Sequence, residues 1–301
     1  ELFKYELFEN LDDEQKVQQR EGQSVWSRLE CELIVADYLN MFLKELRSEP
    51  FVKSHLREQL RQYLDDRSSG SVEYKYQNIS AILIELGLPY IRGYKPAFNY
   101  QKLLSDVVKS QVTVREKQVQ NGAEEVVNDA PQMHLHNDWA SILDEAPVID
   151  QEDKKTVVRQ YQPRLYDYTS REESNRKLGR RGEEFVLEFE RQRLTSLGRK
   201  ELAKKIEWTS EVKGDGAGYD VYSYQGEEGG DLFIEVKTTN QGKFLTFYKS
   251  DNDVSFSEEN PDNYSLYRDF DYRKQPRIFT LNGSIRVNAK LRTKQYQAIF
   301  R

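Results

Sequence analysis

Between residues 24 and about 112 the apolar positions recur at helical intervals. In SVWSRLECELIVADYLNMFLKELR, Trp26, Leu29, Leu33 and Met41 fall where a helix would gather them on one face, and Ser24 is placed to cap it. Pro50 opens PFVKSHLREQLRQYL, the RSSGS break (Arg67 to Ser71) leads into VEYKYQNISAILIELG, and NYQKLLSDVV follows the GLP and GYKP turns. This pattern predicts a domain of four or so helices over residues 1–112. Residues 113–168 lose the long periodicity and are punctuated by Asn121-Gly122, Pro131, Pro147 and Pro163, which predicts a linker with one helical turn in NDWASILDE. From 169 to 301 the period changes. SNRKLGRRGEEFVLEFERQRL places Leu178, Gly182, Phe185, Val186 and Phe189 on one helical face, and RKELAKK predicts a short helix. KIEWTSEV, YDVYSY, LFIEVKTT and FLTFYKS then read as strands, each short and rich in β-branched or aromatic residues. The expected fold class is α+β: an N-terminal helical domain, a linker, and a C-terminal α/β domain with a mixed central sheet.

Composition changes this picture in one respect, the partner. A chain of 301 residues with 37% hydrophobic and 32% charged residues is polar but globular, and has room for two domains. No apolar run reaches the length of a membrane helix, and the first residues, ELFKYELF, lack the charged and apolar pattern of a secretory leader. Cys31 is the single cysteine, which excludes an internal disulfide and a cysteine-based zinc site. The compartment expected from these features is the reducing cytoplasm, with no membrane partner. The net charge of -6 would speak against nucleic acid if it were evenly spread. It is not: Glu116 to Asp153 holds ten acidic residues and one basic, and the rest of the chain holds 44 basic and 41 acidic. The last 29 residues carry eight basic residues and no acidic one. The linker is therefore acidic, a solvated spacer, and its flanks are neutral to basic.

The chemistry concentrates in two of the strands. YDVYSY and LFIEVKTT are separated by QGEEGGD, a hairpin loop by composition, and a symmetric hairpin sets Asp220 opposite Glu235 or one residue away. Glu235 and Lys237 share one face, with Ile234 and Val236 on the other. Two neighbouring carboxylates repel unless a cation lies between them. Carboxylate oxygens are what Mg²⁺ prefers, and a lysine beside them would orient a water nucleophile, which is the chemistry of metal-assisted phosphodiester hydrolysis. The alternative is an ordinary half-exposed strand whose polar face happens to carry Glu235 and Lys237.

Asp220, Glu235 and Lys237, spaced D-x14-E-V-K, resemble the core of the PD-(D/E)XK nuclease superfamily, and GRRGEE (Gly179 to Glu184) is similar to its G-x-x-x-E helix motif. GEEFVLEFE, GDGAGYDVYSY, FIEVKTT and YSLYRDFD in that order resemble, over about 174–300, the family named after the C-terminal domain of protein NO VEIN, assigned to the same superfamily. The first acid follows Tyr219 where the superfamily label has Pro. The resemblance implies a restriction-endonuclease-like fold and a Mg²⁺-dependent DNA endonuclease, with Mn²⁺ as a substitute. Asp220 and Glu235 would hold the metal, Lys237 would act on the water and phosphate, and Glu183 would add a metal-side carboxylate. Glu184 competes for that last role, since only one of the two can face the hairpin.

Lys53, Arg57 and Arg61 recur every four residues on one helix, and Arg67 and Lys75 extend the set, so this stripe is a candidate for phosphate contacts, with Asn78 among the base readers. RSSGSVEYKYQNIS (Arg67 to Ser80) looks like a helical module placed before nuclease domains of restriction and defence proteins, which implies target recognition. Thr238 and Thr239 are candidates for the scissile strand, and Arg286 and Lys290, with Arg292 and Lys294, for the backbone. Expected partners are DNA, a second copy of the chain because a duplex has two strands, and further subunits of a defence system. The rivals are a catalytically silent DNA-binding or assembly subunit and an RNase toxin. GDGAGYD lacks the Lys-Ser/Thr of a phosphate loop and reads as a turn leaving room beside Asp220. His134 and His136 read as linker residues, and Cys31 as core.

Overall fold

Ser27 opens the first helix of the computed structural model, which describes residues 25–47, 49–119, 121–122, 139–147, 175–214, 216–226 and 229–293. Ser24, His134, His136, Lys294 and most of the acidic stretch lie outside the described residues. The Ser27 hydroxyl accepts from Glu30 N, and the Glu30 carboxylate accepts from Ser27 N at 2.9 Å, a reciprocal cap. Four helices follow the expected order: α1 (Arg28–Leu46), α2 (Lys53–Arg61), α3 (Ser69–Glu85) and α4 (Lys102–Val114). Their core includes Ile34, Phe42, Val72, Ile79, Leu104 and Val108, with Cys31 fully buried as expected. The Tyr38, Tyr76 and Tyr94 rings cluster inside it, and the Tyr76 hydroxyl donates to Asp37 at 2.7 Å, so the buried phenol and carboxylate satisfy each other.

The second compact unit comprises a helix followed by a sheet. It contains α5 (Arg176–Ser196), α6 (Lys200–Ala203), β1 (Glu207–Trp208), α7 (Thr209–Lys213), β2 (Val221–Tyr224), β3 (Asp231–Thr238), α8 (Asp251–Glu259), β4 (Tyr264–Phe270), β5 (Arg277–Asn282) and α9 (Ile285–Asn288). The five strands lie side by side in chain order. Neighbours are antiparallel except β3 and β4, which run parallel, so the sheet is mixed and the fold α+β as expected. One face buries Val221, Ile234, Val236 and Tyr267 against Phe185, Val186 and Phe189 of α5. The other carries Phe233, Tyr264 and Leu266 with Phe256 of α8 and Ile285 of α9. Glu190 of α5 is fully buried yet satisfied: Arg193 binds it through two nitrogens, and the Ser223 and Tyr267 hydroxyls donate at 2.6 and 2.9 Å. That network fastens the helix to β2 and β4.

Three local expectations are corrected. KIEWTSEV gives a strand of two residues and then α7, because Ser210 N donates to Asp220 O and the chain turns helical after one rung. FLTFYKS is not a strand: β2 and β4 occupy both edges of β3, and this segment serves as the crossover that a parallel pair requires. Residues 139–147, placed in the expected linker, pack into the sheet unit. Trp139 stacks on Phe185 at 5.3 Å, Ile142 is buried, and Asp144 N donates to Ile278 O at 2.8 Å. The helical turn foreseen there is a 3₁₀ turn, Ala140–Ile142.

Candidate active site

The hairpin closes with Val221 opposite Ile234, a register that carries one residue further to set Asp220 opposite Glu235. Asp220 N donates to Ile234 O at 2.9 Å, and the Asp220 carboxylate accepts from Val236 N at 2.8 Å. The acid is thus tied to β3 at both its backbone and its side chain. GDGAGYD builds the approach: Gly218 has φ +83°, and a Cβ there would meet Phe256 at 2.7 Å, so the room Gly218 leaves is filled by an aromatic ring, while Gly214 and Gly216 face open space. Tyr219 continues that packing, 4.8 Å from Phe233 and 5.2 Å from Phe256.

Glu235 is buried and bears two ammonium groups on one oxygen: Lys237 Nζ lies 3.3 Å and Lys249 Nζ 2.5 Å from Oε1. Glu183 reaches the group from α5. Its Oε2 accepts from Trp208 Nε1 at 2.5 Å and from the Ser210 hydroxyl. Glu184 turns away to Arg181 at 2.6 Å and Arg180 at 3.6 Å. Arg180 stacks over the Trp208 ring at 4.7 Å, holding the indole whose N–H serves Glu183. The site therefore draws on α5, β1, α7, β2 and β3.

Its electrostatics are those of a crowded acid cluster. Removal from water, then the charges of Glu235 and Glu183, push the Asp220 carboxyl well above its ordinary range, against the opposing pull of the Val236 N–H and Lys237. Burial raises Glu183 as well, with Glu235 adding to it and the Ser210 and Trp208 hydrogen bonds and Lys237 opposing. Tyr264, on β4, is buried, and its hydroxyl has no hydrogen-bond partner among the described residues. Burial raises it first, and the Glu235, Asp253 and Asp220 charges push in the same direction.

Among the described residues no group of three acidic, His or Cys side chains is arranged to hold a metal ion, so Asp220, Glu235 and Glu183 do not make a ready three-ligand site. Mg²⁺ does not require one, since it is held by one or two carboxylates with water and substrate phosphate completing its shell. Asp220 and Glu235, hard oxygen donors on adjacent strands whose crowding raises the Asp220 carboxyl, fit such an ion in their chemistry.

The expected nucleic-acid contacts fare differently. Lys53 donates to Arg92 O and lies over the Tyr94 ring, and Arg57 pairs with Glu73 at 2.6 Å. Arg61 pairs with Glu58 at 2.6 Å and donates to Arg67 O. Arg67 binds Glu30 through two nitrogens against Trp26, while Lys75 is buried over the same indole and donates to Gln101. Asn78 is buried and donates to Ala97 O and Asn99 O. Each of these side chains thus has a partner within the helical unit, Lys75 and Asn78 being buried and Arg57 and Arg61 in partly exposed pairs. Thr238 and Thr239 also point inward: Thr238 donates to buried Asp269 at 3.2 Å, and Thr239 Oγ1 accepts from Gln241 N. Arg286 and Lys290 are exposed, Arg286 in a pair with Glu258 at 2.6 Å. Of the helix glycines, a Cβ at Gly182 would run into the Thr238 side chain, whereas one at Gly179 would meet nothing within 4 Å.

Lys249, Trp208, Ser210 and Tyr264 belong to the cluster and were not foreseen. The one sequence signal at Lys249 is its place before Ser250 and Asp253, which form the reciprocal cap of α8.

The model of a protein family described as Protein NO VEIN, C-terminal, matches residues 182–281. That domain is associated with the PD-(D/E)XK-like nuclease superfamily, and the matched stretch contains Glu183, Asp220, Glu235 and Lys237. The resemblance seen in the sequence over about 174–300 is borne out, on these narrower bounds. No curated protein and no solved structure matches the chain.

Proposed function

We propose that this chain is a metal-dependent endonuclease that hydrolyses DNA phosphodiester bonds, working in the cytoplasm in restriction or anti-phage defence. The observation that carries the reading is the pairing of Asp220 with Glu235 across β2 and β3, with Lys237 on the same face and Glu183 brought in by α5. Asp220 and Glu235 would hold Mg²⁺ or Mn²⁺, with Glu183 supporting. When bound, the ion supplies a Lewis acid for a phosphoryl oxygen and favours ionisation of water. The chain's own groups do the rest. Lys237 orients the water and offsets the charge that develops on the phosphate, while Trp208 and Ser210 keep Glu183 aimed at the cluster. α9 packs on the same sheet face as Glu235, and on this reading its exposed Arg286 and the nearby Lys290 would follow a phosphate backbone. The exposed Arg286–Glu258 pair is weak enough to exchange for it. A homodimer would cut both strands.

One observation favours a second reading, a silent DNA-binding or assembly subunit: both ammonium groups already occupy Glu235 Oε1. Incubation of supercoiled plasmid with the protein and Mg²⁺ or Mn²⁺ decides between them. Nicking or linearisation is expected, falling about 10²-fold or more in Asp220→Ala and Lys237→Ala. Binding without cleavage of modified or unmodified DNA sinks the nuclease reading, and cleavage of RNA alone assigns an RNase.

A further inference from the structure

The side chain of Lys249 is 3% exposed, and its ammonium lies 2.5 Å from Glu235 Oε1 and 3.8 Å from Asp253 Oδ2. A buried ammonium persists only where it is paired. Here its partners are the acid assigned to the metal and the carboxylate that closes the cap of α8. Asp253 accepts from Ser250 N at 3.2 Å, which anchors the residue next to Lys249 in the chain. The residue is therefore fixed at its base, and its buried ammonium is held between the two carboxylates. Lys237 reaches the same Oε1 at 3.3 Å. One carboxylate oxygen thus holds two cations, while Asp220 and Glu183 form no ion pair among the described residues. The positive charge is concentrated at one acid of the three.

We propose that Lys249 is a positioning residue: an internal counter-cation seated on Glu235 in the metal-free protein, which a divalent ion must displace or share in order to reach that carboxylate. This rests on the metal-dependent reading above. Lys237 projects from β3 itself and is the more exposed of the two, whereas Lys249, from the crossover, is the closer and more deeply buried, so it is the cation that neutralises Glu235 when no metal is bound. Its presence holds Glu235 in place against the repulsion of Asp220 and Glu183, and it lowers the affinity for the ion by the same charge.

The test is calorimetric titration of the full chain with Mn²⁺ and Mg²⁺, together with thermal melting in chelator and in excess metal. Lys249→Met is expected to bind Mn²⁺ about tenfold more tightly than wild type, because the ammonium that competes for Glu235 Oε1 is removed. It should melt at a lower temperature in chelator and regain more on adding metal. Lys249→Arg, which keeps the charge, should retain wild-type affinity. Wild-type or weaker affinity in Lys249→Met overturns the assignment. If Lys249→Met does not fold, Asp253→Asn serves: the cap survives through the amide oxygen and Lys249 is left wholly to Glu235. Mn²⁺ affinity about threefold weaker then supports the assignment, and unchanged affinity overturns it. Wild-type protein that binds neither ion defeats the metal-dependent reading itself, and this inference with it. Failure of Lys249 alone shows as a wild type that binds and a Met variant that does not tighten.

Discussion

A Cβ at Gly182 would lie 1.6 Å from the Thr238 hydroxyl oxygen and 2.7 Å from Thr238 Cβ. The next residue in α5 is Glu183, and Thr238 follows Lys237 in β3, so this contact sets how close the helix carboxylate comes to the strand that carries the other two site groups. Gly182→Ala must push α5 off the sheet or move β3, at a cost of about 3 kcal/mol in urea unfolding. Trimming Thr238 to Ala will not restore it, because its Cβ remains in the way. Gly179→Ala, one turn earlier with open space around it, should instead gain about 0.5–1 kcal/mol from helix propensity. Equal effects at the two positions would show that helix weakening, and not the close approach, explains the glycines.

The two adjacent glutamates should separate in activity. Glu183→Gln is expected to slow plasmid nicking about 10- to 100-fold at saturating Mg²⁺, the range typical for a supporting carboxylate. Glu184→Gln breaks only half-exposed pairs with Arg180 and Arg181 and should leave the rate within about twofold, at a stability change of no more than about 1 kcal/mol. Initial nicking rates of the two variants, measured side by side, decide the assignment; a slow Glu184→Gln with a normal Glu183→Gln reverses it.

Asp269 makes stability depend on pH in a predictable direction. It is fully buried, and burial pushes its carboxyl well above the ordinary 3.8, with the Thr238 hydroxyl and Arg268 offsetting only part of that. A raised acid binds its proton more tightly in the folded state. Its contribution is therefore complete below pH 3.8 and is lost as pH climbs through the raised value. Asp269→Asn cannot ionise and does not suffer that loss. The stability of Asp269→Asn relative to wild type should rise with pH across the window, by about 1.4 kcal/mol for each pH unit inside it. Denaturant unfolding at a series of pH values checks this, and a flat difference counts against a raised Asp269.

Arg67 should matter for folding and not for DNA. It joins Glu30, which is 4% exposed, through bonds of 2.6 and 2.9 Å, and stacks on Trp26. Arg67→Met leaves that carboxylate buried and unpaired, costing about 3 kcal/mol. Burial alone would raise Glu30, but Arg67 and the Ser27 bonds hold it below its ordinary value. The pair's contribution is thus present above that value and is lost as pH falls through the lowered one. Duplex affinity per folded molecule, from fluorescence anisotropy, should not change. A folded Arg67→Met with a weaker duplex would return this arginine to the DNA face.

The hairpin was legible because two constraints agreed: a turn-forming loop and a period-two alternation that fixes Glu235 and Lys237 on one face. The four N-terminal helices were legible for the same kind of reason, a repeat at helical spacing bounded by Pro and Gly. The cationic stripe was legible only as an alignment, because spacing along one helix shows which side chains align and not what they meet. Glu30 is 37 residues from Arg67 and Glu73 is 16 from Arg57. β4 was hidden as a strand because all seven of its residues are buried, so it lacks the alternation of a half-exposed strand. Lys249 was hidden because a crossover has no periodicity from which its position over the sheet can be read.

The parallel pairing of β3 with β4 carries a last consequence. Two parallel neighbours cannot be joined by a tight turn, so the chain is obliged to send a long connection across the sheet, and here it brings Lys249 onto Glu235. Such a connection tolerates substitution and insertion more readily than the strands it joins. On the proposed reading, the affinity of this acid cluster for a cation is set by a residue outside the strands themselves, a tuning screw placed beside the site by topology.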